Sequence, residues 1–165
     1  IAVAHKHAVT GKATWTGQAA DADKSAQVAG ENAAGGDVKL GPTLGTAIVR
    51  AGVLTLARTG HLDPDAQVTT VSGRSKDPFF PSHGPLTVSL YSNDAGRLLG
   101  AEVVGTDGVD KRVDVLATAI LGKLKVAQLA DLDLPYPPPF GTPLLYTSDA
   151  AAALPLVLAS SLRTL

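Results

Sequence analysis

The chain has 165 residues, 45 % of them apolar, and a formal net charge of −1 at pH 7. This length is sufficient for one domain with a hydrophobic core, and the near-neutral charge gives no electrostatic reason to expect a nucleic-acid partner or an anionic membrane. The absence of cysteine excludes disulfides, thiolate metal sites and a redox-active thiol from this chain. Because the chain starts at Ile1 and contains no methionine, we expect it to be part of a longer protein.

An H-x-H sequence, His5-Lys6-His7, lies near the start of the chain. In an extended segment both imidazoles point to one face, which could begin a metal site. No third ligand follows at a useful spacing, because His61, His83 and the acidic residues are scattered. We therefore expect two solvated histidines in a loop and no metal site.

The sequence carries no pattern typical of membrane insertion or secretion. Its first residues lack the basic and apolar regions of a signal peptide. The apolar run Ala150–Leu162 is shorter than the roughly 20 residues that a membrane-spanning helix needs. We expect no membrane association.

An alanine-rich segment from Gln18 to Ala34 predicts a helix that ends at Gly35-Gly36. Its alanines follow helical spacing at Ala19, Ala22, Ala26, Ala29 and Ala33.

The middle of the chain is dominated by short alternating or apolar runs that predict strands. These runs are Val53–Gly60, Val68–Ser72, Leu86–Tyr91 and Arg97–Gly105. Asn93-Asp94-Ala95-Gly96 is typical of a hairpin turn and predicts that the last two strands pair. Asp63–Ala66 could begin a short helix.

The sequence GVDKRVDVLATAIL that follows predicts the main core helix. Its apolar residues form one stripe, Val109, Val113, Leu116 and Ile120. We expect Asp107 to cap the start, with Asp110 in an acidic variant of the capping box, and Gly122 to lie at C′. Lys111 and Arg112 read as solvated or intersubunit charges, because Asp110 and Asp114 flank them.

After the helix, Val126, Leu129 and Leu132 predict a brief second helix that packs back on the core.

Two proline-rich segments carry aromatic side chains. Phe79-Phe80 lies in a loop, and the simplest interpretation is that one ring faces the core and the other is exposed. Pro135–Phe140 contains Tyr136 in a stiff extended strip, which could be either a rigid surface loop or a recognition element.

Residues 96–121, GRLLGAEVVGTDGVDKRVDVLATAIL, resemble the C-terminal dimerisation domain of the FAD-dependent pyridine nucleotide–disulfide oxidoreductases. The resemblance runs from about Trp15 to Phe140 and is greatest to the coenzyme A disulfide reductases and NADH oxidases. It implies an α+β fold in which helices cover one face of an antiparallel sheet of three to five strands, preceded by a helical leader. The implied division is 1–40 for the end of an FAD-binding domain, 41–142 for the dimerisation domain and 143–165 for an aberrant tail. Residues 144–151 of that tail look like translated sequencing-adapter DNA.

The resemblance also implies roles for individual residues. Ala19 and Ala22 match the helix whose N-terminal end faces the flavin, and thus imply cofactor binding. Phe79 holds the position of a tyrosine that reaches the substrate site of the other subunit. Tyr136 matches a tyrosine that crosses the dimer, which makes it the candidate catalytic residue, acting in trans.

For the parent enzyme the resemblance implies FAD, NAD(P)H, a homodimer and a cytoplasmic location. The chain itself contains no nucleophile–base pair, metal cluster or dinucleotide loop, so we expect it to bind no cofactor and to be inactive alone. Two functions stay open. One is the dimerisation portion of a flavin- and NAD(P)H-dependent oxidoreductase that reduces a disulfide or oxygen; the other is a stand-alone interaction module without catalytic activity.

Overall fold

The computed structural model describes residues 3–135, together with Pro139 and Gly141. Our predictions for Tyr136 and for the 143–165 tail lie outside these residues. The described part contains a small leader followed by a five-stranded antiparallel sheet with a helix on one face. The predicted α+β fold is confirmed.

The leader consists of a two-stranded ribbon and a helix. Strands β1 (His5–Lys6) and β2 (Ala13–Thr14) pair antiparallel, and helix α1 (Ala19–Ala33) follows, within one residue of the predicted ends. The expectation of solvated histidines is wrong for His5, whose side chain is only 3 % exposed.

The main sheet has the order β3-β4-β7-β6-β5, with every neighbouring pair antiparallel. Its strands are β3 (Ala47–Ala51), β4 (Leu54–Gly60), β5 (Gln67–Arg74), β6 (Pro85–Ser92) and β7 (Leu98–Gly105). The predicted turn joins β6 to β7, where the Asn93 carbonyl accepts a hydrogen bond from the Gly96 amide at 2.8 Å. The helix expected from Asp63 is wrong: the segment makes only a turn, closed by the Ala66 amide on the Asp63 carbonyl.

Helix α2 (Val109–Leu121) covers one face of the sheet, and its bounds are as predicted. All four residues of the predicted stripe are buried. They pack with alternate residues of the central strands, among them Leu86, Val88, Leu90, Ala101 and Val103. A short 3₁₀ helix (Val126–Asp131) follows and buries Val126 and Leu129. The predicted brief second helix is therefore confirmed, as a 3₁₀ helix.

The predicted helix caps are wrong at both ends of α2. The N-cap is Gly108, with φ of 70°, which has no side chain with which to cap the first turn. Asp107 instead pairs with Lys76, at 2.8 Å between carboxylate and ammonium. At the other end Gly122 is still right-handed, and Lys123 adopts the left-handed conformation that C′ requires, with φ of 59°.

Within the described ranges, no helix is long and apolar enough to cross a bilayer.

Candidate functional site

The start of α1 carries the two predicted cofactor-binding residues. Ala19 is exposed and Ala22 is half-buried. Gln18 is the N-cap and makes no side-chain cap, so the first-turn amides have no acceptor within the helix. Small side chains and uncapped amides leave this helix end open to an acceptor group.

Asp21 fixes the orientation of this helix end. It is the one buried residue of α1, and its carboxylate accepts hydrogen bonds from Thr16 Oγ1 at 2.5 Å and Thr43 Oγ1 at 2.9 Å. Thr43 precedes the main sheet, so Asp21 joins α1 to the body of the domain. Nothing in the alanine spacing predicted this buried acid.

An open cleft of about 420 Å³ separates the start of α1 from the end of β4. Its lining includes Trp15, Gln18, Arg58 and His61. His7 lies at one side, with its ring centroid 6.0 Å from that of His61. Burial lowers the pKa of His7 below its ordinary 6.5, and the nearby His61 lowers the pKa further. A hydrogen bond with the Gly60 backbone acts in the opposite direction and raises the pKa.

Phe79 lies at the tip of a loop that is closed at its base. Ser75 and Gly84 are joined by two hydrogen bonds, from the Ser75 amide to the Gly84 carbonyl at 2.8 Å and from the Gly84 amide to Ser75 Oγ at 3.1 Å. Phe79 is 92 % exposed, whereas Phe80 is half-buried. The loop therefore presents one aromatic ring to the outside.

The interpretation of Arg112 as a solvated or intersubunit charge is wrong. Its side chain is 2 % exposed, and it donates hydrogen bonds to the Gly108 and Ser75 carbonyl oxygens, each at 3.2 Å. Helical spacing was the available signal, because Arg112 is three residues after Val109 and four before Leu116, on the buried stripe.

The face of the sheet away from α2 carries one exposed apolar row, next to a row in which Arg58 pairs with Glu102. Strand register aligns Val49, Leu56 and Val104 across β3, β4 and β7, and all three are exposed. The same row continues into Thr87 and Ser72, whose hydroxyls lie 3.0 Å apart.

A second apolar surface lies beside the outer side of α2. It is a groove of about 470 Å³, lined mainly by Val115, Ala119, Leu124, Leu132 and Leu134.

The described residues contain no group of three or more histidine or acidic side chains placed to hold a metal ion. The structure brings Phe79 and Arg112 to one end of the domain, through the loop at Ser75. Ala19 and Ala22 lie at the start of α1 in the leader, whereas Phe79 lies in the loop between β5 and β6.

Comparison with known proteins identifies relatives of this α+β domain, although no family model matches the chain. An NADH oxidase from Methanocaldococcus jannaschii is 29 % identical over 138 residues, which cover 79 % of this chain and 31 % of the relative. A coenzyme A disulfide reductase from Staphylococcus aureus is 32 % identical over 130 residues, which cover 74 % of this chain and 30 % of the relative. The crystal structure of reduced Bacillus anthracis CoADR-RHD superposes with a TM-score of 0.81 at 30 % identity, over 96 % of this chain and 30 % of that one.

The chain therefore belongs to the pyridine nucleotide–disulfide oxidoreductase family. Within that family its fold resembles the C-terminal region of the coenzyme A disulfide reductases and NADH oxidases. The chain spans only about 30 % of the length of these relatives.

Proposed function

We propose that this chain is the dimerisation portion of a flavin- and NAD(P)H-dependent oxidoreductase that reduces a disulfide, such as coenzyme A disulfide, or oxygen. The observation that carries the proposal is the exposed apolar row of Val49, Leu56 and Val104, in a domain whose relatives are named NADH oxidase and coenzyme A disulfide reductase. Residues 1–40 then form the end of an FAD-binding domain, and residues 41–142 form the dimerisation domain.

The apolar surfaces support a homodimer. Val49, Leu56 and Val104 form a contiguous exposed row, and such patches mark interaction sites because their exposure to water is unfavourable. A second copy related by a twofold axis covers the same patch on both subunits at once.

Charge substitutions test this arrangement. Leu56→Asp places a carboxylate in the exposed apolar row of Val49, Leu56 and Val104. This variant should be monomeric by sedimentation velocity where the unsubstituted chain is a dimer. Val68→Asp is the matched control, because Val68 is also an exposed strand residue but lies on β5, outside this row. A chain that is monomeric without substitution at high micromolar concentration contradicts dimerisation through this domain.

The helix end at Ala19 fits a contribution to flavin binding. Its uncapped amides can donate to an anionic or carbonyl oxygen, and the small side chains of Ala19 and Ala22 permit close approach. The Asp21 carboxylate is engaged by two threonine hydroxyls, which keeps its oxygens away from an approaching acceptor. When bound, the flavin would carry electrons between NAD(P)H and the substrate; this chain supplies amide donors and a fixed helix axis.

Phe79 and Tyr136 are the proposed contacts with the substrate bound to the other subunit. An exposed ring on a closed loop is suited to this role, since little conformational freedom is lost when it is buried. Tyr136 adds a phenol hydroxyl that can donate a hydrogen bond.

The test is to express the complete reading frame, including the codons before Ile1, and to assay the purified protein. We expect bound flavin, and NAD(P)H oxidation that depends on coenzyme A disulfide or on oxygen. A reading frame that lacks an FAD-binding region, with no NAD(P)H oxidation, would instead establish the stand-alone interaction module.

A further inference from the structure

Arg112 is a cation within the apolar core of the sheet–helix layer. It lies on the same stripe as Val109, Val113 and Leu116, and is as fully buried as these neighbours. Burying a charged group is unfavourable unless hydrogen bonds replace its lost hydration. The partners of Arg112 therefore indicate what this side chain holds in place.

Two of these partners belong to backbone segments on either side of the guanidinium. Nη1 donates to the carbonyl of Gly108, at the start of α2. Nη2 donates to the carbonyl of Ser75, 37 residues earlier in the chain. Ser75 closes the base of the Phe79 loop with Gly84, so one side chain ties this loop to the helix.

A third segment passes against the same guanidinium. A Cβ atom added to Gly141 would lie 3.3 Å from Nη2 of Arg112, so the backbone there is in close contact with the guanidinium. On the other side, the absence of a side chain at Gly108 leaves room for the guanidinium, because a Cβ atom added there would lie 2.5 Å from Nη1 of Arg112. Arg112 thus lies where the Phe79 loop, the start of α2 and the chain at Gly141 meet.

We propose that Arg112 is a positioning residue that holds the Phe79 loop and Gly141 against the start of α2, so that the loop is presented to the other subunit in one arrangement. The inference rests on the proposed function, in which Phe79 contacts substrate bound to the other subunit. Arginine is suited to this because its planar fork reaches two carbonyl oxygens at once, whereas the single ammonium of lysine does not keep that geometry.

Site-resolved hydrogen exchange on the chain tests the arrangement in the Arg112→Lys and Arg112→Met variants. We expect the amides of Ser75 and Gly84 to exchange about tenfold faster or more, since the loop opens locally when its tie is lost. Amides of the central β6–β7 pair should keep their rates in Arg112→Lys. Arg50→Lys is the matched control, because Arg50 also donates to a backbone carbonyl, that of Gly52, but is exposed.

Arg112→Met also removes the buried charge and could unfold the chain, so the lysine variant decides the outcome. Equal acceleration at Ser75, Gly84 and the β6–β7 amides would mean that Arg112 only stabilises the fold. Unchanged exchange at Ser75 and Gly84 would mean that it does not hold the loop. Either result overturns the proposal.

A second measurement uses the complete enzyme. Arg112→Lys should raise KM for the disulfide or oxygen substrate and leave KM for NAD(P)H unchanged, because only the substrate contacts are displaced. Parallel changes in both constants would contradict the positioning role. The exchange experiment needs no enzymatic activity, so its failure is distinguishable from failure of the proposed function.

Discussion

His7 and Asp21 are polar side chains through which the leader contacts the rest of the domain. Asp21 accepts a hydrogen bond from Thr43, and His7 lies against Gly60 and His61. Its Nδ1 accepts from the Val9 and Thr10 amides at 3.1 and 3.3 Å, which favours the neutral ring. Protonation of His7 would place a second donor where these amides already point.

The free energy of unfolding should therefore fall as the pH is lowered through the His7 titration. The folded-state pKa of His7 is below its ordinary 6.5, so the unfolded chain takes up its proton first. The stabilisation that neutral His7 contributes is fully present above about pH 6.5, and it is lost as the pH falls from there through the lower folded-state pKa. Urea unfolding between about pH 7.5 and 5 checks this, with an NMR titration of the ring.

His7→Gln should flatten this pH dependence, and His83→Gln, at a half-buried position in the β5–β6 loop outside the leader, should leave it unchanged. A His7 ring that titrates above 6.5 would contradict the assignment.

Tyr136→Phe in the complete enzyme should lower turnover and leave the dimer intact. Loss of one phenol hydrogen bond costs about 0.5–1.5 kcal/mol, or up to about 3 if its partner is charged. Turnover should fall by the factor that corresponds to this loss of free energy, while the sedimentation coefficient of the dimer stays the same.

Mixed dimers determine which subunit Tyr136 serves. One subunit carries Tyr136→Phe, and the other is disabled only at its own flavin site. If Tyr136 acts in trans, the working flavin site faces an intact tyrosine and turns over at the wild-type rate per site. A working site with the slower Tyr136→Phe rate would show that the tyrosine serves its own subunit.

Helix α2 is the element that builds the core. Leu116 is 0 % exposed, so Leu116→Ala should destabilise the chain by about 2–5 kcal/mol, through lost burial and the cavity left behind. Lys111→Ala, at an exposed position of the same helix, should cost about 0.5 kcal/mol or less. Equal urea midpoints for the two variants would mean that the buried face is wrongly assigned.

Element types were largely predictable from the sequence because their signals are local. Alternation in Leu86–Tyr91 and the Asn93–Gly96 turn predicted the β6–β7 hairpin, and the apolar stripe predicted α2 to the residue. Edge strand β3 was not predicted as a strand, since an edge with mostly exposed residues lacks the alternation that burial imposes.

The candidate site was less predictable, because its contacts join residues that are distant in sequence. Aspartate is a residue type that favours the N-cap position. Asp107 instead forms an ion pair with Lys76, which lies in another loop. Arg112 bonds Ser75 across 37 residues, and no local pattern identifies such a pair. The role of Phe79 came only from the family resemblance and stays a prediction.

At the scale of the whole molecule, the purified chain should carry no stoichiometric FAD and bind NADH poorly. The glycine-rich turn and the ribose-binding acid of a dinucleotide site are absent from the sequence, and one helix end offers only a few amide donors. Flavin absorbance after purification from cells checks this, with the complete protein as control. A yellow chain with one flavin per subunit would contradict the prediction.

The strand order has a consequence for how the domain folds. Hairpins β3–β4 and β6–β7 each join neighbours in sequence, whereas β4 pairs with β7 through Thr55↔Gly105 and Gly60↔Gly100. This seam requires closure of the intervening chain, so we expect its formation to be the slow, entropically costly step of assembly. Gly100 lies at the end of this β4–β7 pairing. A Cβ atom added at Gly100 would lie 2.3 Å from the His61 carbonyl oxygen. A side chain at Gly100 should therefore leave both hairpins able to form while impeding their joining into one sheet.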